Sequence, residues 1–144
     1  MNCNHFYYSM NNTRFATSIH ILTLLATNPE EVLSSEYIAS SININPVLVR
    51  KEIAQLRKNG WIDSREGKGG GNQLALPARQ IKLSDVYMVI KQDAILGRFN
   101  NPNPRCPVGK QINQHIETLY EDAESALIKK LEKMSIADFI KQFG

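Results

Sequence analysis

With 144 residues, 42% hydrophobic and 22% charged, the chain can build one domain with a real core and an appended element. No apolar run reaches the ~20 residues of a membrane helix, and the polar start lacks a signal-peptide pattern, so a cytoplasmic protein with no membrane partner is expected. The net charge is only +3, and two cysteines, Cys3 and Cys106, are too few for a disulfide scaffold and lack zinc-site spacing.

The charge is unevenly placed. From Ser34 to Lys82, eight Lys/Arg stand against four Asp/Glu, a net of +4, while the rest of the chain sums to −1. Such a concentration is the footprint of a nucleic-acid partner. No nucleophile elbow, helical His pair or suitably set carboxylate pair occurs, and His5, His20 and His115 have no ligand spacing, so an enzyme is not expected.

In chain order, residues 1–11 form an N-terminal arm. Met1–Ser9 has no clear period, and Met10 followed by Asn-Asn-Thr-Arg looks like a natural start. The arm is either disordered or an artefact of the assigned start, in which case Cys3 has no role. The rival reading packs Phe6, Tyr7 and Tyr8 on a partner subunit. A first helix is expected from Asn12 or Thr13 to Thr27, with Phe15, Ile19, Leu22 and Leu25/Ala26 as its inner stripe and Asn28-Pro29 as its stop. His20 reads as an ordinary helical histidine. A second helix starts at Ser34 or Ser35, both good caps, and buries Tyr37 and Ile38. Ser41–Ile44 turns the chain.

A basic helix follows. Asn45 can cap it, Pro46 suits its first position, and Asn59-Gly60 ends it. Val49, Ile53 and Leu56 form the core stripe, with Arg50, Lys51, Arg57 and Lys58 largely off it. Alone, this fits a solvated surface helix. The next stretch changes that. Trp61–Arg65 and Asn72–Leu76 alternate like strands around the glycine-rich Glu66–Gly71, which carries Lys68. Helix, turn, basic helix and hairpin together read as a winged helix-turn-helix. The glycines are not a phosphate loop, because no Lys-Ser/Thr ending follows and they join two strands.

Pro77–Gln80 is a connector. Leu83–Lys91 reads as a fourth helix with the stripe Val86, Val89 and Ile90. The prolines between Gly97 and Arg105 mark a loop. A long helix is expected from Pro107 to about Lys133, with Ile112, Ile116, Leu119, Ala123 and Leu127 on its apolar face. It exceeds what a small winged domain needs and reads as a dimerisation helix; the rival is that it packs on its own domain. Ser135 caps a last short helix, with Asp138 in its first turn and Ile136, Phe139, Ile140 and Phe143 packing inward. The fold class is mainly α with a small β-hairpin: a winged helix-turn-helix over residues 12–92, a loop over 93–106, and a dimerisation helix with a C-terminal helix over 107–144.

Arg14-Phe15-Ala16, Leu56-Arg57-Lys58-Asn59-Gly60, the wing Gly67-Lys68-Gly69-Gly70-Gly71 with Leu74, Ile81–Val86 and Cys106-Pro107-Val108-Gly109 resemble the Rrf2 family of bacterial winged-helix regulators. The resemblance covers nearly everything from Thr13 to Phe143. It is strongest to a subgroup whose loop reads Asn-Pro-Asn-Pro, a basic residue and Cys-Pro-Val-Gly, here Asn101–Gly109. It implies a homodimer with crossed long helices on an imperfect inverted repeat of double-stranded DNA. Base-reading positions carried over are Asn45, Val47, Leu48 and Arg50. The family's wing arginine falls on Glu66, with Arg65 one place earlier, a departure from the family's pattern for minor-groove insertion; Lys68 is the substitute. The family's three cluster cysteines fall on Ala94, Asn100 and Cys106, so no iron–sulfur cluster, and no cofactor, is expected.

Phosphate contacts are assigned to Arg50, Lys51, Lys58, Arg65 and Lys68. Cys106, before Pro107, is expected at the N-cap of the long helix, where the dipole would favour a thiolate; it is either a redox sensor or a small cap residue. The main reading is thus a DNA-binding repressor that responds to redox state. The alternatives are a small-molecule-responsive regulator, with a cavity lined by Tyr87, Phe99 and the proline-rich loop, and a winged helix used for protein–protein interaction.

Overall fold

A computed structural model describes residues 4–91 and 95–144, with side chains from Thr13 onward. The expectations for Cys3, for the side chains of Phe6, Tyr7 and Tyr8, and for position 94 lie outside the described residues. The elements are α1 (Asn4–Thr27), α2 (Ser35–Ile42), α3 (Pro46–Lys58), β1 (Ile62–Arg65), β2 (Gly71–Leu74), a 3-10 turn (Ala78–Gln80), α4 (Leu83–Ile90), α5 (Gly109–Leu131) and α6 (Ile136–Ile140). The protein is mostly helical with one antiparallel hairpin.

Helix α1 is the centre of the head. Its backbone starts at Asn4 rather than Asn12 or Thr13. No Gly or Pro stands between Asn4 and Asn11 to stop it. It packs on α2, α3, α4, α6 and β2, so it is buried on more than one face. Ile19, Leu22, Leu25 and Ala26 are buried as expected, but so are Ser18 and Ile21, off that stripe.

The turn into α3 is closed by small polar caps. Ser34 accepts the Tyr37 N–H at 3.1 Å, and Asn43, at φ 63°, reverses the chain in the left-handed region that Asn tolerates. Ile38 is buried, whereas Tyr37 is 53% exposed, which corrects its expected burial. The inward stripe of α2 runs through Ile38, Ala39 and Ile42, and Tyr37 lies outside it.

Helix α3 opens with Asn45 accepting the Val47 N–H at 2.9 Å. It closes on a paired motif in which Gly60 donates to Arg57 O at 2.9 Å and Trp61 to Leu56 O at 3.1 Å. Gly60 supplies the positive φ of 81° that this ending requires. Val49, Ile53 and Leu56 are buried against α1 and β1.

The hairpin pairs Ile62 with Leu74 and Arg65 with Gly71. One pair inside its turn, where Asn72 faces Ser64, it is tied to the segment before α2. Leu33 donates to Asn72 O at 2.9 Å and accepts the Asn72 N–H at 2.8 Å, and the buried Asn72 Nδ2 also reaches Leu33 O at 3.0 Å. At the tip, a Cβ on Gly70 would sit 2.2 Å from the Arg65 carbonyl oxygen, so the turn needs glycine there.

Helix α6 returns to the head. The Ser135–Asp138 capping box is present, Ile136 donates to Ile81 O at 2.8 Å, and its side chain is fully buried. Phe143, expected inward, is 57% exposed; α6 ends at Ile140, before this ring could reach the core.

Helix α5 has no buried residue along its length. Its principal contact is α4, where Glu124 accepts from Lys91 Nζ at 2.8 Å and Tyr87 OH at 3.1 Å. The preceding loop lies on its first half: Phe99 stacks on Tyr120 at 5.4 Å, and Asn113 Nδ2 donates to Asn100 O at 2.9 Å.

Candidate nucleic-acid interface

The side of α3 opposite its buried stripe faces solvent. Val47, Lys51, Ala54 and Lys58 recur at intervals of four and three and form its outer ridge, all exposed. Leu48 and Arg50 flank this ridge. Val47 is 63% and Leu48 53% exposed, a large apolar area to leave in water near a helix start, and a chemistry suited to thymine methyl groups. Asn45 Oδ1 already holds the Val47 N–H, so its amide NH2 is the part available to an acceptor.

The wing continues the basic face. Arg65 and Lys68 are exposed, at the end of β1 and in the tip. Among the described residues, Lys51, Lys58, Arg65 and Lys68 have no carboxylate within ion-pair distance, whereas Arg50 is paired with Glu36 in the first turn of α2. A hydrogen bond from Glu36's own backbone N–H and one from the Arg50 guanidinium hold that carboxyl below the usual carboxylate range.

Glu52, which sequence reasoning did not single out, fixes the other side of α3. It is 5% exposed, and its carboxylate accepts from Arg14 Nε at 2.7 Å and Ser18 Oγ at 3.5 Å. The signal was available: Glu52 lies three residues after Val49 and four before Leu56, inside the buried stripe.

Cys106 is exposed but is not the N-cap of α5. The helix begins at Gly109 with Val108 as its cap residue. Asn103 starts a turn of its own, its Oδ1 accepting the Arg105 N–H at 2.9 Å and its carbonyl the Cys106 N–H at 3.1 Å. The thiol is thereby set ahead of the helix, and the Cys106 carbonyl accepts the Lys110 N–H at 3.0 Å.

Among the described residues a groove opens away from Tyr87 and Phe99, beside which a cavity was expected. Tyr87 meets Phe15 edge-on, while Phe99 lies against Tyr120, and neither lines it. The groove, about 870 Å³, runs between α1 and α6, past Phe15, Ile19, Leu24, Phe139 and Phe143.

A head of this shape, with an exposed basic helix and a basic wing, defines a winged-helix transcriptional regulator rather than an enzyme. Residues 11–142 match the Rrf2 family, described as an iron-dependent transcriptional regulator. The chain belongs to the Rrf2 family of transcriptional regulators. It is 40% identical over 130 residues to YwnA of Bacillus subtilis (strain 168), whose name places it among HTH-type transcriptional regulators; the match covers 90% of this chain and 96% of that one. It is 29% identical over 129 residues to protein rrf2 of Nitratidesulfovibrio vulgaris, covering 90% and 84%. The fold is that of CymR, the global cysteine regulator of B. subtilis, at TM-score 0.70 and 19% identity over 92% and 97% of the two chains. The T. potens IscR structure matches at TM-score 0.67 and 22% identity over 94% and 87%.

The iron in the family's description does not fit the donors here. Of the positions carried over for a cluster, Asn100 offers only a side-chain amide, and Ala94 has no donor side chain. Cys106 is then a single thiolate where a cluster takes several. Among the described residues no three His, Cys, Asp or Glu side chains converge. No described helix is long and apolar enough to cross a membrane.

Proposed function

We propose that the protein is a cytoplasmic homodimeric repressor that reads an imperfect inverted repeat in double-stranded DNA. The observation that carries this reading is that Lys51 and Lys58 on α3 and Arg65 and Lys68 on the wing are exposed and have no carboxylate partner among the described residues. Those four supply phosphate contacts, which position the head and make affinity fall with salt. Asn45, Val47, Leu48 and Arg50 face base edges, which give sequence preference.

The dimer reading is supported by α5. Ile112, Ile116, Ala123 and Leu127 are only partly covered and Leu119 is 60% exposed, so one protomer leaves this stripe unpaired. A second copy would cover it and set two heads about one helical turn of DNA apart. The thiol reading rests on place: Cys106 is exposed in the turn that leads into α5, and its carbonyl accepts the Lys110 N–H at 3.0 Å. Oxidation of Cys106 to a sulfenic acid by peroxide would add an oxygen at that turn.

The test is selection of bound DNA from a random pool, with reduced and with peroxide-treated protein. An inverted repeat whose affinity falls with salt supports the reading. A head used only for protein contacts would select nothing. For the thiol, Cys106→Ser should bind as the reduced wild type does and ignore peroxide; equal responses of both would overturn sensing.

A further inference from the structure

Arg50 differs from its neighbours. Of the cations assigned to the reading face, it has an ion-pair partner in the described structure: its Nη2 donates to Glu36 Oε1. Both side chains remain exposed, Arg50 at 52% and Glu36 at 65%, so the pair is not part of the core. Its partner comes from another element, fourteen residues earlier in the chain. Glu36 stands in the first turn of α2, where the helix dipole favours an anion.

A guanidinium is a planar fork with five donors. One contact through Nη2 leaves other N–H groups of the fork unbonded, while the contact restricts an otherwise mobile chain. Arg50 also lies in the first half of α3, one turn on from Asn45 and Pro46, beside the exposed Val47. A lysine on the outer ridge has no such restraint and acts as a swinging point charge. Guanine presents O6 and N7 together in the major groove, a match for a held arginine fork.

We propose that Glu36 is a positioning residue for sequence discrimination: its carboxylate holds Arg50 so that the remaining N–H groups meet a guanine edge rather than a phosphate. This rests on the DNA-reading function proposed above. The carboxylate lowers affinity for DNA at large, because it cancels one positive charge, and it raises the advantage of the correct site.

The test compares the wild type, Glu36→Gln, Arg50→Ala and the double variant on the selected site and on random duplex, across a salt series. In Glu36→Gln the freed arginine turns to phosphate. Random-duplex affinity should rise and its log–log salt slope steepen by about one. The ratio of selected-site to random affinity should fall about tenfold or more. In the Arg50→Ala background, Glu36→Gln should leave that ratio unchanged. Circular dichroism checks that each variant is folded. If Glu36→Gln raises selected and random affinity by the same factor, Glu36 merely screens charge and the proposal is overturned. A wild type with no preferred site overturns the DNA-reading function itself, and the proposal with it.

Discussion

Arg14 Nε lies 2.7 Å from Glu52 Oε1, which ties the central helix to the inner side of the reading helix. The side chains are 30% and 7% exposed, so the anion is buried and its cation reaches the surface. Charges of this kind contribute less to net stability than to fixing an arrangement, because each must leave water. Here the arrangement is the rotation of α3 about its own axis, which decides whether Val47 and Lys51 face outward.

Removing the cation should therefore be costly. Arg14→Met strands a buried carboxylate with Ser18 Oγ at 3.5 Å as its remaining partner. A loss of about 2–3 kcal/mol is expected in urea denaturation, less than for a fully buried pair because Arg14 is partly solvated. The double variant Arg14→Met/Glu52→Leu should recover most of it.

The two kinds of DNA contact should separate by salt. Arg50→Ala should cost about 1–3 kcal/mol on the selected site and relax sequence preference there. Lys68→Ala should weaken all duplexes alike and reduce the salt slope by about one. Fluorescence anisotropy over a salt series reads both.

Leu119→Glu should turn the proposed dimer into monomers in analytical ultracentrifugation. It places a carboxylate on the exposed apolar face of α5, where pairing with a second copy would desolvate it. Affinity for the full repeat should drop about a hundredfold or more, because two tethered heads become one. A variant that stays dimeric would overturn the role given to α5.

Acid should loosen the joint between α4 and α5. Glu124 is held below its usual value of 4.5, chiefly by the hydrogen bond from Lys91, against a smaller effect of burial and with help from the Tyr87 hydroxyl. Because the folded value is depressed, the joint's stabilisation is complete above the unfolded carboxyl value and is lost as pH falls through the folded one. Thermal melts between pH 6 and pH 3 should show the wild-type Tm converging on that of Glu124→Gln as pH drops below the ordinary glutamate range.

Much of the head was legible because its ends are written locally. Asn45-Pro46 before an apolar stripe and Asn59-Gly60 after it bound α3, and Ser135 with Asp138 starts α6. What was not legible depends on partners far along the chain. Glu52 stands at core spacing in α3, but that Arg14 is the cation it meets is set by the packing of α1 on α3. Tyr37 looks like a core residue until α2 turns Ile38, Ala39 and Ile42 inward in its place, and Phe143 does until α6 stops at Ile140. Cys106-Pro107 looked like a helix start, but the turn at Asn103 captures the Cys106 N–H first. Arg50 was placed correctly on the outer side, yet nothing near it in sequence announces Glu36, because that pairing depends on the angle between two helices.

The wing is held close to its tip rather than at its base. Leu33 and Asn72 lock the strand pair, one step inside the turn, to the stretch between the first two helices, so only the short loop carrying Lys68 projects beyond the anchor. A side-chain change at Lys68 leaves the folded body intact, so evolution can retune how tightly such a regulator holds any duplex there without endangering the scaffold. A length change just before Leu33 has the opposite character, since it would shift the anchored strand itself.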